Sequence, residues 1–332
     1  MTLKGEKSMN QYPPPQAPIN PEPVSVLKKK SAVFETSLSR LILAMLIPGI
    51  ISGVLKELLP LLYSNELGST LIDFLRFIPI PLVTAVLNFI FAFTLCKNKK
   101  DGIMLIGLNY IIGYVFEIPN TAVDVFKAIK GNDVNHWFFT VSKYLIPVLA
   151  FIAFVLLASY LTKHGEKREM PEPENGYFLT PGKNLLLAAV TIPAICQVIQ
   201  YAAYFLAGDR LRQIVHSAFG NQDDYYYSSQ ATQTIFLGSV SIVLSIVFVA
   251  LLFIFCFVRL KYRSEILLFL GAFGIGGLVT GVVSGICSFF TYMSAFANAI
   301  YIINSVAVVG IDVLFVWLLM REKNPEKGRS RS

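Results

Sequence analysis

Long apolar runs, parted by short polar and basic stretches, dominate the pattern of this chain. Eight of them, over residues 38–62, 77–96, 103–123, 144–161, 185–206, 234–258, 266–290 and 295–320, can each span a bilayer core. Such a core is about 30 Å thick, and a helix rises about 1.5 Å per residue. None of the runs alternates polar and apolar residues with the period of two that a membrane barrel needs. Backbone groups in lipid must satisfy their own hydrogen bonds, which leaves helices. The expected fold is all-α, a polytopic membrane protein with eight transmembrane helices in a lipid bilayer.

Composition agrees. The chain is 55% hydrophobic and only 15% charged, where soluble domains carry about 25% charged residues. A net charge of +7 could suggest a nucleic-acid partner, but the basic residues sit in short clusters between apolar runs, as membrane topology requires. No nucleic acid is expected. Cys96, Cys196, Cys256 and Cys287 each lie inside or at the end of an apolar run, without a C-x-x-C pair. They read as small packing residues.

The distribution of Lys and Arg gives an orientation. With a cytoplasmic N-terminus, 21 of the 28 fall in inside segments. The other seven, Lys56, Arg76, Lys127, Lys130, Lys143, Arg210 and Arg212, lie on or near the outside. Both termini are therefore expected in the cytoplasm. Trp137 and Trp317 fall near opposite membrane faces, where indoles are favoured. No N-x-[ST] sequon occurs, which points to a bacterial cytoplasmic membrane.

The two halves echo one another. Ile47-Pro48 matches Ile192-Pro193 in the first run of each half. The junction FAFTLCKNKKDGIMLIGL over 91–108 echoes FIFCFVRLKYRSEILLFL over 253–270. Four spans per half would make a parallel 4+4 repeat. The expected organisation is a disordered, Pro-rich cytoplasmic tail over 1–36, a first four-helix unit over 37–162, a cytoplasmic linker over 163–183, a second unit over 184–320 and a basic tail over 321–332. The second half also carries a long external loop over 208–233, with Asp223, Asp224 and three tyrosines.

Ionisable groups inside a bilayer are costly and mark candidate sites. Asp312 in the last run and Asn109 in the third fall at similar depth. Glu117 lies in the outer third of the third run, and Lys56 with Glu57 at a similar height in the first. Gln197, Gln200 and Tyr201 follow Pro193 at i, i+3 and i+4, and so share one helix face. Pro48 and Pro193 are expected to kink their helices. Gly277, Gly281 and Gly285, spaced by four, form a smooth ridge suited to close helix packing.

His136, His164 and His216 lie in or near loops, so no metal site is expected. No G-x-S-x-G elbow, H-E-x-x-H or Walker A loop is present, and neither a cofactor nor an enzymatic activity is expected. Two readings remain. One is a permease-type protein passing or sensing a small solute through Asp312, Glu117 and Lys56. The other is a non-catalytic membrane subunit or scaffold that binds a protein partner through its tails and outer loop.

Overall fold

The computed structural model describes residues 32–58, 75, 78–130, 136–165, 176–219, 222–293 and 297–321. Most of the Pro-rich tail, the middle of the linker and the last eleven residues lie outside them, as does Arg76. Eight helices make up the described fold: α1 (Leu38–Leu58), α2 (Pro79–Leu95), α3 (Lys99–Lys130), α4 (His136–Lys163), α5 (Gly182–Phe219), α6 (Gln222–Arg259), α7 (Arg263–Met293) and α8 (Ala297–Arg321). Seven are long and apolar enough to cross a membrane. The protein is an all-α, multi-pass membrane protein. The exception is α2, whose 17 residues sit at the lower end of the spanning range, which runs from about 17 to 25. It starts only at Pro79, which has no N–H to donate and fits the first helical turn.

Several helices outrun their apolar stretches. The run in α5 ends at Leu206, yet the helix continues to Phe219, and α6 begins at Gln222, ahead of its run at Thr234. Much of the expected external loop is therefore helix. No proline interrupts it, and polar side chains do not end a helix once it has left the lipid. α3 likewise passes through Pro119 to Lys130.

α3 and α7 form the centre. At least half of their most apolar stretches is buried, against 17–33% for the other long helices. They pack on each other through Ile103, Ile106, Gly107 and Tyr110 of α3 and Leu267, Gly271, Gly274 and Gly277 of α7, and Leu105, Leu108, Leu268, Phe269 and Phe273 are left without exposed surface. α3 also meets α6, α4 and α2, and α7 meets α8 and α2. α5 packs on α6 and α8, and α1 on α2 and α4. The faces turned outward carry Ile50, Val54, Leu156 and Val198, all exposed, as lipid contact requires.

Two carboxylates tie one end of the bundle. Asp101, in the first turn of α3, accepts from the Thr36 backbone N–H at 2.7 Å and its hydroxyl at 2.6 Å. Asn98 caps the same helix through the Asp101 N–H at 2.7 Å. Glu265, in the first turn of α7, accepts from the N–H groups of Leu179 and Thr180 at 3.0 and 2.7 Å. Both carboxylates are 1% exposed; these hydrogen bonds keep their burial from being destabilising. The Tyr177 N–H reaches the Leu319 carbonyl at the end of α8, and Ala32 bridges Gly165 just past α4. Arg263 donates to Tyr160 at 3.2 Å. These contacts gather the starts of α1, α3, α5 and α7 with the ends of the other helices, so successive helices alternate in direction.

Candidate functional site

Between α3 and the four helices of the second half lies a cavity of about 980 Å³. Small-molecule sites fall between about 300 and 1,000 Å³. The cavity exists because small residues line much of α7. Gly274, Gly277 and Gly281 all border it, and a Cβ at Gly281 would meet nothing within 4 Å. Across from them, Gly113 of α3 and Gly238 and Ser241 of α6 add little bulk.

Polar side chains enter this space from several helices. Asp312 of α8 is 4% exposed and stands against α7 where Gly276 has no side chain, so that a Cβ there would overlap its Oδ1. Asn109, Tyr110, Tyr114, Glu117 and Thr121 line it from α3. Gln197 and Gln200 line it from α5, with Pro193 and Cys196. Asn88 reaches it from α2, its side-chain amide donating to the Thr84 carbonyl at 2.8 Å. Ser284 of α7 donates to Asn304 of α8 at 2.9 Å and closes one side.

An aromatic wall runs along the cavity. The Tyr110 and Tyr114 rings are 5.1 Å apart, Tyr114 and Phe248 4.8 Å, and Phe248 and Phe273 6.2 Å. The first three line the cavity, and both tyrosines lie within electrostatic reach of Asp312. Among the described residues, no Lys, Arg or His lines it. An ionised carboxylate in such surroundings costs several kcal/mol unless a partner compensates it.

The structure thus brings Asp312, Asn109, Glu117, Gln197, Gln200, Pro193, Gly277 and Gly281 to one cavity. It does not bring Lys56, Pro48 or Gly285 there. Lys56 is exposed on α1, and its neighbour Glu57 pairs with Lys143 at 2.9 Å. Pro48 is buried within α1. Gly285 is buried on α7, away from the cavity. Of the glycine ridge, Gly277 faces the Tyr110 ring, whereas Gly281 opens into the cavity. The closest helix approach uses Gly271 and Gly274 instead.

Sequence reasoning did not single out Tyr110, Tyr114, Ser241 or Ser245. Tyrosine and serine are common in membrane helices, so the spacing of four within each pair, which puts it on one helix face, does not by itself mark a site. Pro119, two residues past Glu117, was a legible signal: it leaves the Val115 carbonyl without its helical donor near the outer part of the cavity. Among the described residues no three His, Cys, Asp or Glu side chains come together as a metal site would need.

No family model, curated protein or solved structure matches the chain. The cavity's own chemistry has to carry the functional reading.

Proposed function

We propose that the protein is a non-enzymatic, permease-type protein that takes a small solute into the cavity beside Asp312. The observation that carries this reading is the cavity itself: a solute-sized space across which a buried carboxylate, amides, hydroxyls and ring faces converge from α3, α5, α6 and α8. Residues that only glue helices together would be paired with one another, as Ser284 is with Asn304.

The frame we propose for it is a parallel repeat of two four-helix units, α1–α4 and α5–α8. The four buried positions of α1, Leu41, Ala44, Pro48 and Ser52, each have a buried counterpart in α5, at Leu185, Ala188, Ile192 and Cys196. Phe34 and Thr36 correspond to Phe178 and Thr180, and Asp101 to Glu265, with the same carboxylate-to-backbone clasp. Ala92 and Cys256 are both 1% exposed. The stacked pair Phe89–Phe93 has its counterpart in Phe253–Phe257. At the ends, Ala158 and Leu161 correspond to Val316 and Leu319. This register sets Pro48 opposite Ile192, one residue from the match that the two Ile-Pro pairs suggest. In the same register Asp312 stands opposite Phe154, Asn109 opposite Phe273 and Glu117 opposite Gly281. Asp312, Asn109 and Glu117 thus have no polar counterpart on the other side of the frame, whereas Gln200 stands opposite Lys56.

The basic residues Lys97, Lys99, Lys163, Arg259, Arg263 and Arg321 lie at or near the clasped end, so that end is placed in the cytoplasm by the positive-inside rule, with a bacterial cytoplasmic membrane as the setting.

Gly281→Cys tests the permease reading, because its side chain would project into open cavity. Small membrane-impermeant thiol reagents should modify it from either side of the membrane, with the unmutated protein as the baseline. If neither side gives modification above that baseline, the reading fails. A second reading, a membrane subunit that binds a protein partner, is favoured by the helical continuation of α5 and α6 beyond their apolar runs. It predicts a partner lost on deleting residues 208–233, and no effect of filling the cavity.

A further inference from the structure

Three features of the cavity narrow what it would take. First, its carboxyl groups are Asp312 and Glu117, and among the described residues no Lys, Arg or His lines it. A buried carboxylate facing a cavity without a cation of its own disfavours anions. Second, Tyr110 and Tyr114 lie within electrostatic reach of that carboxylate, with the Tyr110 ring against Gly277 next to the Asp312-facing Gly276, and the Tyr114 ring continues the wall to Phe248. Aromatic faces attract ammonium groups through the ring quadrupole, most strongly where water is excluded. Third, the volume of about 980 Å³ is far larger than a bare metal ion fills, and such an ion would want six or more oxygens close around it.

Resting on the permease reading, we infer that the cavity binds a small organic ammonium ion, its charge against Asp312 and its alkyl groups against the Tyr110–Tyr114–Phe248 wall. Gln197, Gln200 and Asn109 are available for any hydroxyl or amide the ligand carries. Under the repeat, Phe154 stands in the place of Asp312, so the symmetry-related side of the frame has no counter-ion. One ammonium site per chain is expected. α8 brings the charge and α3 with α6 bring the rings, so the site depends on packing between helices from both halves.

The test uses the full-length chain in lipid nanodiscs and isothermal titration calorimetry. The probes are choline and butylammonium, each paired with a neutral compound of similar shape, 3,3-dimethylbutan-1-ol and pentan-1-ol. Saturable binding of at least one ammonium probe, about tenfold or more tighter than its neutral partner, is expected. A tenfold difference corresponds to 1.4 kcal/mol. Asp312→Asn should remove that preference, and Tyr114→Leu should weaken the ammonium probe while leaving the neutral one little changed. No saturable binding of either ammonium, or equal affinity for the neutral partner, overturns the inference. So does an Asp312→Asn variant that folds and still prefers the ammonium. The comparison of charged with neutral probes is made on the unmutated protein, so it decides even if the variants do not fold. A cavity that is modified at Gly281→Cys from both sides yet binds no ammonium leaves the permease reading standing without this one. A cavity closed to thiol reagents overturns the permease reading itself.

Discussion

Gly107 and Gly271 meet where α3 crosses α7, and each sits against the backbone of the other helix. A Cβ on Gly107 would overlap the Gly271 nitrogen and the Leu267 carbonyl, and one on Gly271 would overlap the Ile103 carbonyl. The relation is reciprocal, because Ile103 and Leu267 hold equivalent places four residues before each glycine. Backbone cannot swing aside as a flexible side chain can, so the helices would have to separate. Gly107→Ala and Gly271→Ala should each destabilise by about 1–3 kcal/mol, the usual cost of overpacking a close contact. Unfolding in detergent, followed by circular dichroism, measures this. Gly49→Ala is the control: a Cβ there meets nothing within 4 Å, and alanine favours a helix over glycine by up to about 1 kcal/mol. Equal stability of all three variants would contradict the crossing geometry.

The paired clasps make a second prediction. Asp101→Ala leaves the Thr36 N–H and hydroxyl without their carboxylate, and Glu265→Ala leaves the N–H groups of Leu179 and Thr180. A buried donor without a partner costs about 1–3 kcal/mol. Both variants should lower stability by comparable amounts, and hydrogen exchange should rise at Thr36 in one and at Thr180 in the other. Increased exchange at both segments in either variant would mean that the clasps are not local ties.

These contacts also show what the sequence could and could not convey. Apolar runs place the helices because burial in lipid is a property of composition, read without any partner. Asp312, Asn109, Glu117, Gln197 and Gln200 stood out because polar groups are rare in such runs, and all five line the cavity. Which residues face each other is another matter. Gly277, Gly281 and Gly285 draw the eye by their spacing of four, yet the closest crossing uses Gly271 with a glycine in a distant helix. Lys56 has the right chemistry and height for the site, but α1 packs on α2 and α4, away from the cavity. Periodicity reports one helix face, and only packing chooses its neighbour. Under the proposed repeat the Ile-Pro match is one residue out of register: proline is tolerated at several points of a membrane helix, whereas the buried series from Leu41 to Ser52 sets the proposed pairing.

Filling the cavity should separate function from folding. Gly281 has open space where a Cβ would project, so the Gly281→Leu side chain starts out into the cavity without meeting backbone at its first atom. Its melting temperature should stay near that of the unmutated protein. In a Gln197→Cys background, cavity labelling by a small thiol reagent should slow markedly once Gly281→Leu is added. Unchanged labelling would show that this side chain does not occupy the solute space.

The last prediction concerns sidedness. Lys99 begins α3 and Arg263 begins α7, and both lie at the clasped end of the bundle. If the two units run parallel, that end faces one compartment in both halves. By the positive-inside rule, the excess of basic residues there predicts that it faces the cytoplasm. In intact cells, Lys99→Cys and Arg263→Cys should therefore resist a membrane-impermeant thiol reagent, and both should react in inverted vesicles. Lys143→Cys, which removes the Lys143–Glu57 pair at the other end, should behave in the opposite way. An exposed ion pair contributes about 0–1 kcal/mol, so this variant should still fold and report its side. Reaction of Lys99→Cys with Arg263→Cys protected would mean antiparallel units. That outcome is incompatible with the Arg263–Tyr160 contact, which joins the start of α7 to the end of α4, and would overturn both the repeat and the cytoplasmic placement of the clasps.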